Sequence, residues 1–500
     1  MNFTAKLHSG DILSGKYPVL GIGIYEDEDL TPVVSDLDNE WGGAISRAFK
    51  AGASPKEGDV LLVTGPSSKG IGSVALIGCG RLEKYTYDAV RRIAGASANY
   101  LRKRDFSRVA YLVETFTPDE GDLERTSHCI VEGARLGTYV FDQFKTEKDT
   151  NPLSAVDLHL PEDVSLRPLI AGLDKVLTLT TSTILARDWG NTPSNYATPS
   201  HFAKLAKDIA KETDLVCRVL EEKECRKIGM GAFLGVAQGS AEEPKFIILD
   251  YKPRRFARTI CFVGKAITFD TGGISLKPAQ DMDAMKLDCG GGLAVIGLMR
   301  AVGLIKPSGV RVIGIVPSCE NMPSGTAIKP GDILTTQSGK SIEVLNTDAE
   351  GRLILADGLE YASREFRPSA IVDAATLTGA CVVALGNDVA GYWSNNEELA
   401  AAMNKAQADT GEKAWRMPLV EEYNELLKSE CADTRNIGTR WGGAITAALF
   451  LKKFIKDTPW LHLDLAGPAI PPDGKPWRPK GASGYGARLL YSLLEHWMDS

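Results

Sequence analysis

The chain has 500 residues, of which 44% are hydrophobic, and its 57 basic and 64 acidic side chains leave a formal charge of −7. Length and composition indicate a globular protein of two to three domains, and the acidic balance offers no electrostatic footprint for nucleic acid or an anionic membrane. Nine scattered cysteines without a Cys-x-x-Cys pair predict reduced thiols. With no apolar signal core and no run of 18 apolar residues, we expect a cytoplasmic protein that does not bind membranes.

The first third of the chain alternates strand and helix patterns. Strands are predicted at 17–25, 59–63, 73–77 and 108–113, and helices at 87–101 and 120–137. Polar stretches at 145–152 and 161–163 interrupt this order, and an amphipathic run predicts a connecting helix near 169–188. We therefore predict an N-terminal α/β domain over 1–170 and a second domain over 171–500.

The remainder of the chain continues the alternation with more strongly apolar strands. The predicted strands lie near 246–250, 259–263, 310–316, 369–374 and 461–465, and the predicted helices near 288–303, 351–364, 396–410 and 443–455. Such alternation is typical of a mostly parallel sheet covered by helices. The predicted fold class is therefore α/β in both domains.

The octapeptide Asn-Thr-Asp-Ala-Glu-Gly-Arg-Leu at 346–353 is the most informative segment. Asp348 and Glu350 are two apart, so an extended backbone would point both carboxylates to one face, with Cα atoms about 7 Å apart. Two acids this close repel each other unless a cation neutralises them. An exposed acidic turn would explain Asp-x-Glu alone, but a second cluster upstream weakens that interpretation.

The upstream cluster follows an apolar strand that is predicted to end at Gly264. Lys265, Asp270, Lys277 and Asp288 are its polar residues, and Gly272-Gly273 permits close approach of backbone to a ligand. Taken singly, each charge is an ordinary surface group or structural ion pair. Together with Asp348 and Glu350, they supply four carboxylates and two amines, enough for a dinuclear metal site.

Other hydrolase chemistries lack their motifs. The chain contains no Gly-x-Ser-x-Gly and no His-Glu-x-x-His. His462 lies in an alternating predicted strand and is interpreted as a core residue rather than a ligand. Metal chemistry in this chain must therefore use oxygen ligands and lysine.

The octapeptide resembles the signature of the leucine aminopeptidase family of dinuclear metallo-exopeptidases. The segment Val-Gly-Lys-Ala-Ile-Thr-Phe-Asp-Thr-Gly-Gly at 263–273 is similar to that family's other metal-binding stretch. Further similar segments, in consistent order over about residues 180–490, are Asn-Thr-Pro-Ser-Asn at 191–195, Ala-Thr-Leu-Thr-Gly-Ala at 375–380, Ile-Thr-Ala-Ala at 445–448 and His-Leu-Asp-Leu-Ala-Gly at 462–467.

The resemblance implies a role for each residue of the two clusters. Asp270 and Glu350 would bridge two divalent metals, zinc or manganese, with magnesium or cobalt as further candidates. Asp288 and the neutral amine of Lys265 would complete the tighter site, and Asp348 would serve the exchangeable one.

The resemblance also implies the reaction, the remaining site residues and the partners. A metal-bridged hydroxide would hydrolyse the N-terminal residue from peptides whose free amine binds a metal. Lys277 would stabilise the oxyanion, and Arg352 would hold bicarbonate as the general base. A pocket for a leucine-like first residue would be formed by Met285, Asn346, Thr376, Leu377, Gly379 and Ala466. The family assembly is a homohexamer of two stacked trimers.

Two alternatives from other functional classes remain open. Some bacterial members of the family also bind DNA, although the acidic balance and the lack of a basic arm argue against this here. The first 165 residues show no comparable short motif, and their α/β pattern resembles the nucleotide-binding macro fold. They are therefore a candidate ligand-binding module, although the sequence indicates no site residue in them.

Overall fold

The computed structural model describes residues 3–65, 70–118 and 121–499. They form two compact units. The N-terminal unit extends to Thr180 and includes Asp473–Lys480, and the C-terminal unit contains Thr181–Pro472 and the chain from Gly481 onward. The division falls inside one long helix, the same helix that contains the boundary predicted near residue 170. The assignment of Asp473–Lys480 to the N-terminal unit had no signal in the sequence.

The N-terminal unit is built on a six-stranded sheet in the order β1-β6-β5-β2-β4-β3. Only the β3–β4 pair is antiparallel. The strands are β1 (Thr4–Ser9), β2 (Tyr17–Tyr25), β3 (Val60–Thr64), β4 (Ile71–Gly80), β5 (Arg108–Leu112) and β6 (Ala155–Leu160). The helices are α1 (Pro32–Glu40), α2 (Ala44–Lys50), α3 (Tyr87–Arg102), α4 (Leu123–Gly137) and the first part of α5 (Leu166–Asn191).

The predicted strands and helices of this unit are present, and β1 and β6 are additional strands that were not predicted. The predicted start of the second helix, at residue 120, lies outside the described residues. Strands β2 and β4 are apolar throughout because helices cover both faces of a parallel sheet. Strand β1 lies at an edge and alternates exposed with half-buried residues, which weakens its sequence signal.

The C-terminal unit contains a nine-stranded mixed sheet in the order β16-β15-β18-β14-β9-β11-β8-β7, with β10 paired to β11. Its centre, β18-β14-β9-β11, is parallel, and β8 and β15 run antiparallel to their inner neighbours. The strands are β7 (Val216–Leu220), β8 (Lys245–Tyr251), β9 (Phe256–Gly264), β10 (Ala266–Asp270), β11 (Gly309–Asn321), β14 (Ala370–Ala375), β15 (Ala390–Ser394), β16 (Ala414–Arg416) and β18 (Trp460–Asp464). A small separate sheet contains β12 (Ile333–Thr335), β13 (Ser341–Glu343) and β17 (Thr434–Arg435).

The helices of the C-terminal unit follow the predicted alternation, with shorter additions. They are α6 (Pro199–Thr213), α7 (Glu222–Ile228), α8 (Gly231–Ala237), α9 (Gly290–Ile305), α10 (Gly351–Tyr361), α11 (Gly379–Leu385), α12 (Glu397–Thr410), α13 (Gly443–Lys452), α14 (Ala466–Ala469) and α15 (Ala487–Met498). All five strands and four helices predicted for this part of the chain are present.

Glycines at the start of α9 let this helix lie directly against the sheet. A Cβ at Gly291 would stand 2.0 Å from the carbonyl oxygen of Ala374 in β14, and one at Gly264 would stand 2.5 Å from the oxygen of Gly291. Both obstructing atoms are backbone carbonyl oxygens, so a side chain at either position would force the main chain to shift. This close packing brings the residues just before α9, including Asp288, next to the ends of β9 and β14.

Two helical stretches have the length and apolar composition of a membrane span. Leu166–Asn191 has a mean hydropathy of 1.4, and Met282–Ile305 has 1.5 with 78% of its most apolar window buried inside the protein. The core helix of a folded domain meets the same criteria. Met282–Ile305 also contains the buried Asp288, so its apolar character is explained by packing against the sheet.

Candidate metal centre

The residues predicted for the site converge on one edge of the central sheet. Lys265 directly follows β9, Asp270 ends β10 and Thr376 directly follows β14. Strands β9, β11 and β14 run parallel, and β10 is parallel to β11, so these residues meet at the carboxyl edge. This edge is where an α/β sheet places its ligands.

Six side chains form what we call the acid–lysine cluster: Lys265, Asp270, Lys277, Asp288, Asp348 and Glu350. Lys265 Nζ lies 2.8 Å from Asp288 Oδ2 and 2.7 Å from Glu350 Oε1. Carboxylate oxygens of Asp270, Asp288 and Glu350 all lie within 4.8 Å of one another, and the three residues are buried. The structure therefore brings two sequence motifs about 80 residues apart into one buried cluster.

Lys277 connects the remaining members of the cluster. Its Nζ lies 2.9 Å from Asp270 Oδ2 and also forms an ion pair with Asp348. The side chain of Lys277 is 22% exposed, whereas that of Lys265 is 4% exposed. One amine is thus enclosed by carboxylates, and the other faces the open side of the cluster.

The octapeptide reaches the cluster through a turn and not through the extended strand that its spacing suggested. The Asn346 side-chain oxygen accepts a hydrogen bond from Asp348 N at 2.8 Å, and Ala349 N donates to Asn346 O at 3.3 Å. Glu350 has helical backbone angles and immediately precedes α10. The prediction of an extended backbone was wrong because Asn346 forms a local turn that competes with strand geometry.

Gly351 is required for the approach of Lys265. A Cβ at this position would stand 2.6–2.7 Å from Cδ, Cε and Nζ of Lys265. A similar restriction applies to Gly272, which has φ +85° and whose Cβ would meet Ser275 O at 2.5 Å. These two glycines let backbone and side chains crowd together at the site.

Asn321 holds the two acidic loops together and was missed by the sequence analysis. Its Nδ2 donates to Asp270 Oδ1 at 2.8 Å and to the carbonyl of Thr347 at 3.1 Å. Its own carbonyl accepts from Thr271 N at 3.0 Å. Asn321 is the last residue of β11, five residues beyond the end of the strand predicted at 310–316, so the predicted strand end gave no signal for it.

Asp464 has a comparable supporting role among the segments that follow β14 and β18. Its Oδ1 accepts from Leu377 N at 3.1 Å and from Ala466 N at 3.2 Å, and its Oδ2 accepts from the Thr378 hydroxyl at 2.7 Å. It thereby joins the segment after β14 to the segment after β18. Asp464 lies within the segment at 462–467 that resembles the family, but the sequence alone indicates no role for it.

Thr376 contacts the cluster directly, unlike the other predicted substrate residues. Its hydroxyl donates to Asp288 Oδ1 at 2.6 Å, and its carbonyl accepts from Lys265 Nζ at 2.9 Å. Asn346 accepts hydrogen bonds from the backbone N–H groups of Asp348 and Ala349, and its carbonyl also accepts from Asn436 Nδ2 at 2.7 Å. Met285 is half-buried one turn before Asp288, and Gly379 is exposed at the start of α11.

The charges of the cluster shift the pKa values of its members. Burial, followed by the neighbouring acids, raises the pKa of Glu350 and of Asp348, and burial likewise raises that of Asp288, where Lys265 opposes the shift. Burial alone would lower the pKa of Lys265, but Asp288, Glu350 and Asp270 outweigh it and raise this pKa. Four carboxylates against two ammonium groups leave an excess of buried negative charge.

Arg352 is a buried cation without a carboxylate in ion-pair distance among the described residues. Its Nη1 donates to the carbonyl of Asn436 at 2.8 Å, whereas its buried Nε has no hydrogen-bond partner. Burial lowers the pKa of Arg352 to about 10, with Glu350 and Asp464 opposing the shift. The guanidinium therefore has an N–H group, at Nε, that can donate a hydrogen bond to an anion.

His462 and Cys289 are packing residues, as the sequence analysis expected for the histidine. His462 is fully buried, its ring stacks on Trp393 and Trp460, and its Nδ1 lies 2.6 Å from Asp373 Oδ1. Cys289 is also buried, and burial raises the pKa of its thiol to about 12. A thiol with so little thiolate character is inert.

The acid–lysine cluster fits divalent metal ions. Glu350 Oε2 is buried without any hydrogen-bond partner, and the buried Asp288 Oδ2 and Asp348 Oδ1 are each paired with a lysine ammonium alone. Buried carboxylate oxygens are stable only when they are paired or bound to metal. Carboxylates and an amine also form a donor set suited to manganese or zinc. Fold and site together define an α/β protein with an acid-rich candidate metal centre at the carboxyl edge of its sheet.

Comparisons with known proteins identify the family. The model of the cytosol aminopeptidase family catalytic domain matches residues 184–491, and that of its N-terminal domain matches residues 22–148. Probable cytosol aminopeptidases of Syntrophotalea carbinolica and Gloeobacter violaceus are 42% and 43% identical, each covering 97% of this chain and 98% of the relative. The chain therefore belongs to the cytosol aminopeptidase family and is a metal-dependent hydrolase of the aminopeptidase class.

Solved structures agree with this assignment over both units. A tomato leucine aminopeptidase mutant superimposes with a TM-score of 0.88 at 33% identity, covering 99% of this chain and 97% of the other. The bottromycin maturation enzyme BotP in complex with Mn gives 0.85 at 32% identity, covering 96% and 99%. The resemblance inferred from short motifs is confirmed, and it extends into the N-terminal residues where no motif was recognised.

Proposed function

We propose that this protein removes the N-terminal residue from peptides with a free amine, with a preference for leucine-like first residues, through a centre of two divalent metals. The observation that carries the proposal is the buried acid–lysine cluster, whose excess negative charge and unpartnered Glu350 Oε2 favour the binding of cations. Family membership supplies the reaction class.

The proposed ligands follow from their positions in the cluster. Lys265 and Asp288, which are in contact and buried, would hold the tighter metal. Asp270 and Glu350, which lie at the centre, would bridge both ions, and the more exposed Asp348 would hold the exchangeable one. Two such ions, zinc or manganese by preference and magnesium or cobalt as alternatives, supply Lewis acidity and an activated water.

The two lysines would differ in charge when metals are bound. The carboxylates around Lys265 favour its ammonium form, but an adjacent dication reverses this preference and favours the neutral amine that a ligand requires. Lys277 reaches the cluster from its open side and would remain protonated. Its ammonium would donate to the oxyanion that develops on the attacked carbonyl.

Arg352 would hold the proposed bicarbonate. A planar guanidinium binds a planar anion through two parallel hydrogen bonds. The unpartnered Nε and the missing ion pair support a small anion at this position. When bound at Arg352, this anion would supply the general base of the reaction.

The substrate side chain would lie against small and apolar residues from four segments. Thr376, Leu377, Gly379 and Ala466 come from the two segments that Asp464 joins, and Met285 and Asn346 from loops on either side of the cluster. Such a lining suits an aliphatic group such as leucine or methionine. Asp464 would position this pocket without touching substrate.

A panel of aminoacyl amides and dipeptides, assayed with added zinc or manganese, tests the proposal. Unblocked leucyl and methionyl substrates should be cleaved from the N-terminus, whereas their N-acetylated forms should be very poor substrates because the amine can no longer bind in the centre. Efficient cleavage of blocked peptides, or release of internal fragments, would contradict the proposal.

We further propose a cytosolic homohexamer of two stacked trimers. The names of the relatives support the location. Light scattering should then give a particle six times the 53.9 kDa chain mass. A monomer or dimer at micromolar concentration would contradict this assembly.

A further inference from the structure

The N-terminal unit contains a cavity of about 410 Å³ that no part of the proposed reaction uses. It lies where β2 ends at Tyr25 and β5 ends at Leu112, and both strands run in the same direction. From β2 the chain first forms β3 and β4 on one side of β2 and later forms β5 on the other side. Ligands of open α/β sheets bind in the crevice at such a switch point, outside the carboxyl ends of the strands.

The interior of this N-terminal cavity is mostly apolar. Ile24 and Val34 are almost fully buried in its wall, and Phe49, Leu82 and Leu123 also line it. The volume and apolar lining are those of a small-molecule pocket rather than of a packing defect.

All charged side chains that line the cavity, among the described residues, are acidic. Glu114 lines it from the turn after β5, and Glu28 and Asp29 line it from the loop after β2. None of the lining residues that the structure describes is a lysine, arginine or histidine. No ion-pair partner for these three carboxylates exists within the described parts of the chain.

Glu114 is fixed next to a rigid anchor. The adjacent Thr115 hydroxyl donates to Leu112 O at 2.7 Å and accepts from Gly23 N at 2.9 Å, so the turn is joined to β2. Burial raises the pKa of Glu114, and no neighbouring cation lowers it. The carboxylate is thus held half-buried in an apolar surrounding without a counter-charge.

From this arrangement we propose that the N-terminal cavity binds an aliphatic primary amine, a ligand with an ammonium group on an apolar stem and no carboxylate or phosphate. The ammonium would pair with Glu114, and a second amine at the far end of the stem would reach Glu28 and Asp29 at the mouth. The stem would occupy the apolar wall. Phosphate-bearing ligands such as nucleotides, which the macro-like strand pattern suggested, would be repelled by the three carboxylates.

Binding of 1,5-diaminopentane to the full-length, metal-loaded protein tests this proposal by calorimetry. Wild type should bind one equivalent of the diamine. Glu114→Gln should bind it with at least a tenfold higher Kd. Glu162→Gln, which removes an exposed glutamate outside the cavity, should bind as wild type does. The neutral analogue 1,5-pentanediol should not bind detectably to wild type or to either variant.

Two further measurements separate the site from the metal centre and from misfolding. Glu114→Gln should retain the melting temperature and the aminopeptidase activity of wild type, because the residue lies in the other compact unit. If it does not fold, the rim variant Glu28→Gln with Asp29→Asn should weaken diamine binding three- to tenfold. Equal diamine binding by wild type and the cavity variants, no binding at millimolar diamine, or binding of ADP-ribose in its place would each overturn the proposal.

Discussion

At the scale of single residues, the two lysines of the acid–lysine cluster perform opposite tasks in the proposed site. Lys265 is enclosed by Asp288 and Glu350, whereas Lys277 faces the open side between Asp270 and Asp348. Amino-acid composition alone does not distinguish the two lysines. Their difference in burial supports the roles that the family resemblance implies, one lysine as a metal ligand and the other directed toward the substrate.

Alanine variants of the two lysines should therefore differ in metal binding. Lys277→Ala should keep its metals and fold but lose about 10²–10³-fold in kcat, the effect of removing one oxyanion donor. Lys265→Ala should lose affinity for the tighter metal, and excess metal should restore part of the activity. Metal titrations of both variants provide the measurement. Equal metal loss in the two variants, or full activity of Lys277→Ala, would show that the roles are reversed or absent.

Gly351 gives a second residue-scale prediction. Gly351→Ala adds a methyl group 2.6–2.7 Å from three atoms of Lys265, so the lysine must move away from Asp288 and Glu350. Alanine is favourable at a helix start, so α10 itself should remain. Metal content and activity should fall while the circular dichroism spectrum stays unchanged. Gly325→Ala, where a Cβ meets open space, is the matched control. A fully active, metal-replete Gly351→Ala would contradict the proposed role of Lys265.

At the scale of elements, a buried carboxylate joins three segments behind the site. Asp357 of α10 accepts hydrogen bonds from Phe233 N in α8 at 2.8 Å and from Gln337 N, between β12 and β13, at 3.1 Å. It is fully buried, and burial raises its pKa to about 7 although the two N–H donors oppose the shift. Helix α10, which directly follows Glu350, is thereby anchored at its middle.

The pKa of Asp357 predicts a pH-dependent contribution to stability. Below about pH 4, its ordinary value, the group is protonated in both folded and unfolded states, and its stabilisation is complete. Between pH 4 and 7 the unfolded chain releases the proton first, so this stabilisation is progressively lost as pH rises. Wild type should thus lose melting temperature relative to Asp357→Asn between pH 5 and pH 8. The exposed Asp457→Asn is the control, and a pH-independent difference between wild type and Asp357→Asn would contradict the prediction.

At the scale of the whole molecule, the proposed metals should couple to folding. The acid–lysine cluster joins the segments after β9 and β10 with the starts of α9 and α10, and its carboxylates repel each other when no dication is present. Metals that bind only the folded chain stabilise it by mass action. The cluster is therefore expected to be a metal-dependent stabilising element of the C-terminal unit.

Chelation should lower the melting temperature, and added zinc or manganese should restore it. Asp270→Ala, which removes a proposed bridging ligand, should show a smaller metal-dependent shift and reduced metal content by elemental analysis. Two full equivalents of metal in Asp270→Ala, or a melting temperature insensitive to chelation in wild type, would contradict the proposed centre.

The sequence by itself determined the fold class, the principal strands and helices, and the membership of the acid–lysine cluster. Long apolar strands such as β9 and β14 are recognisable locally because both of their faces are buried. The short motifs around Asp270 and Glu350 can be recognised from the sequence because their glycines and acids lie close together along the chain. Edge strands such as β1 and β7, with alternating exposure, lacked that signal.

Only the tertiary structure decided how these residues act together. Asn321 supports Asp270, and Asp464 joins two segments, through hydrogen bonds between residues that are distant in sequence. The turn at Asn346 forms because a local side-chain hydrogen bond competes with extended backbone, which residue spacing does not reveal. The return of Asp473–Lys480 to the N-terminal unit and the cavity beside Glu114 are likewise products of long-range packing. Local pattern encodes which residues are polar or buried, whereas the contacts between them form only when the chain is folded.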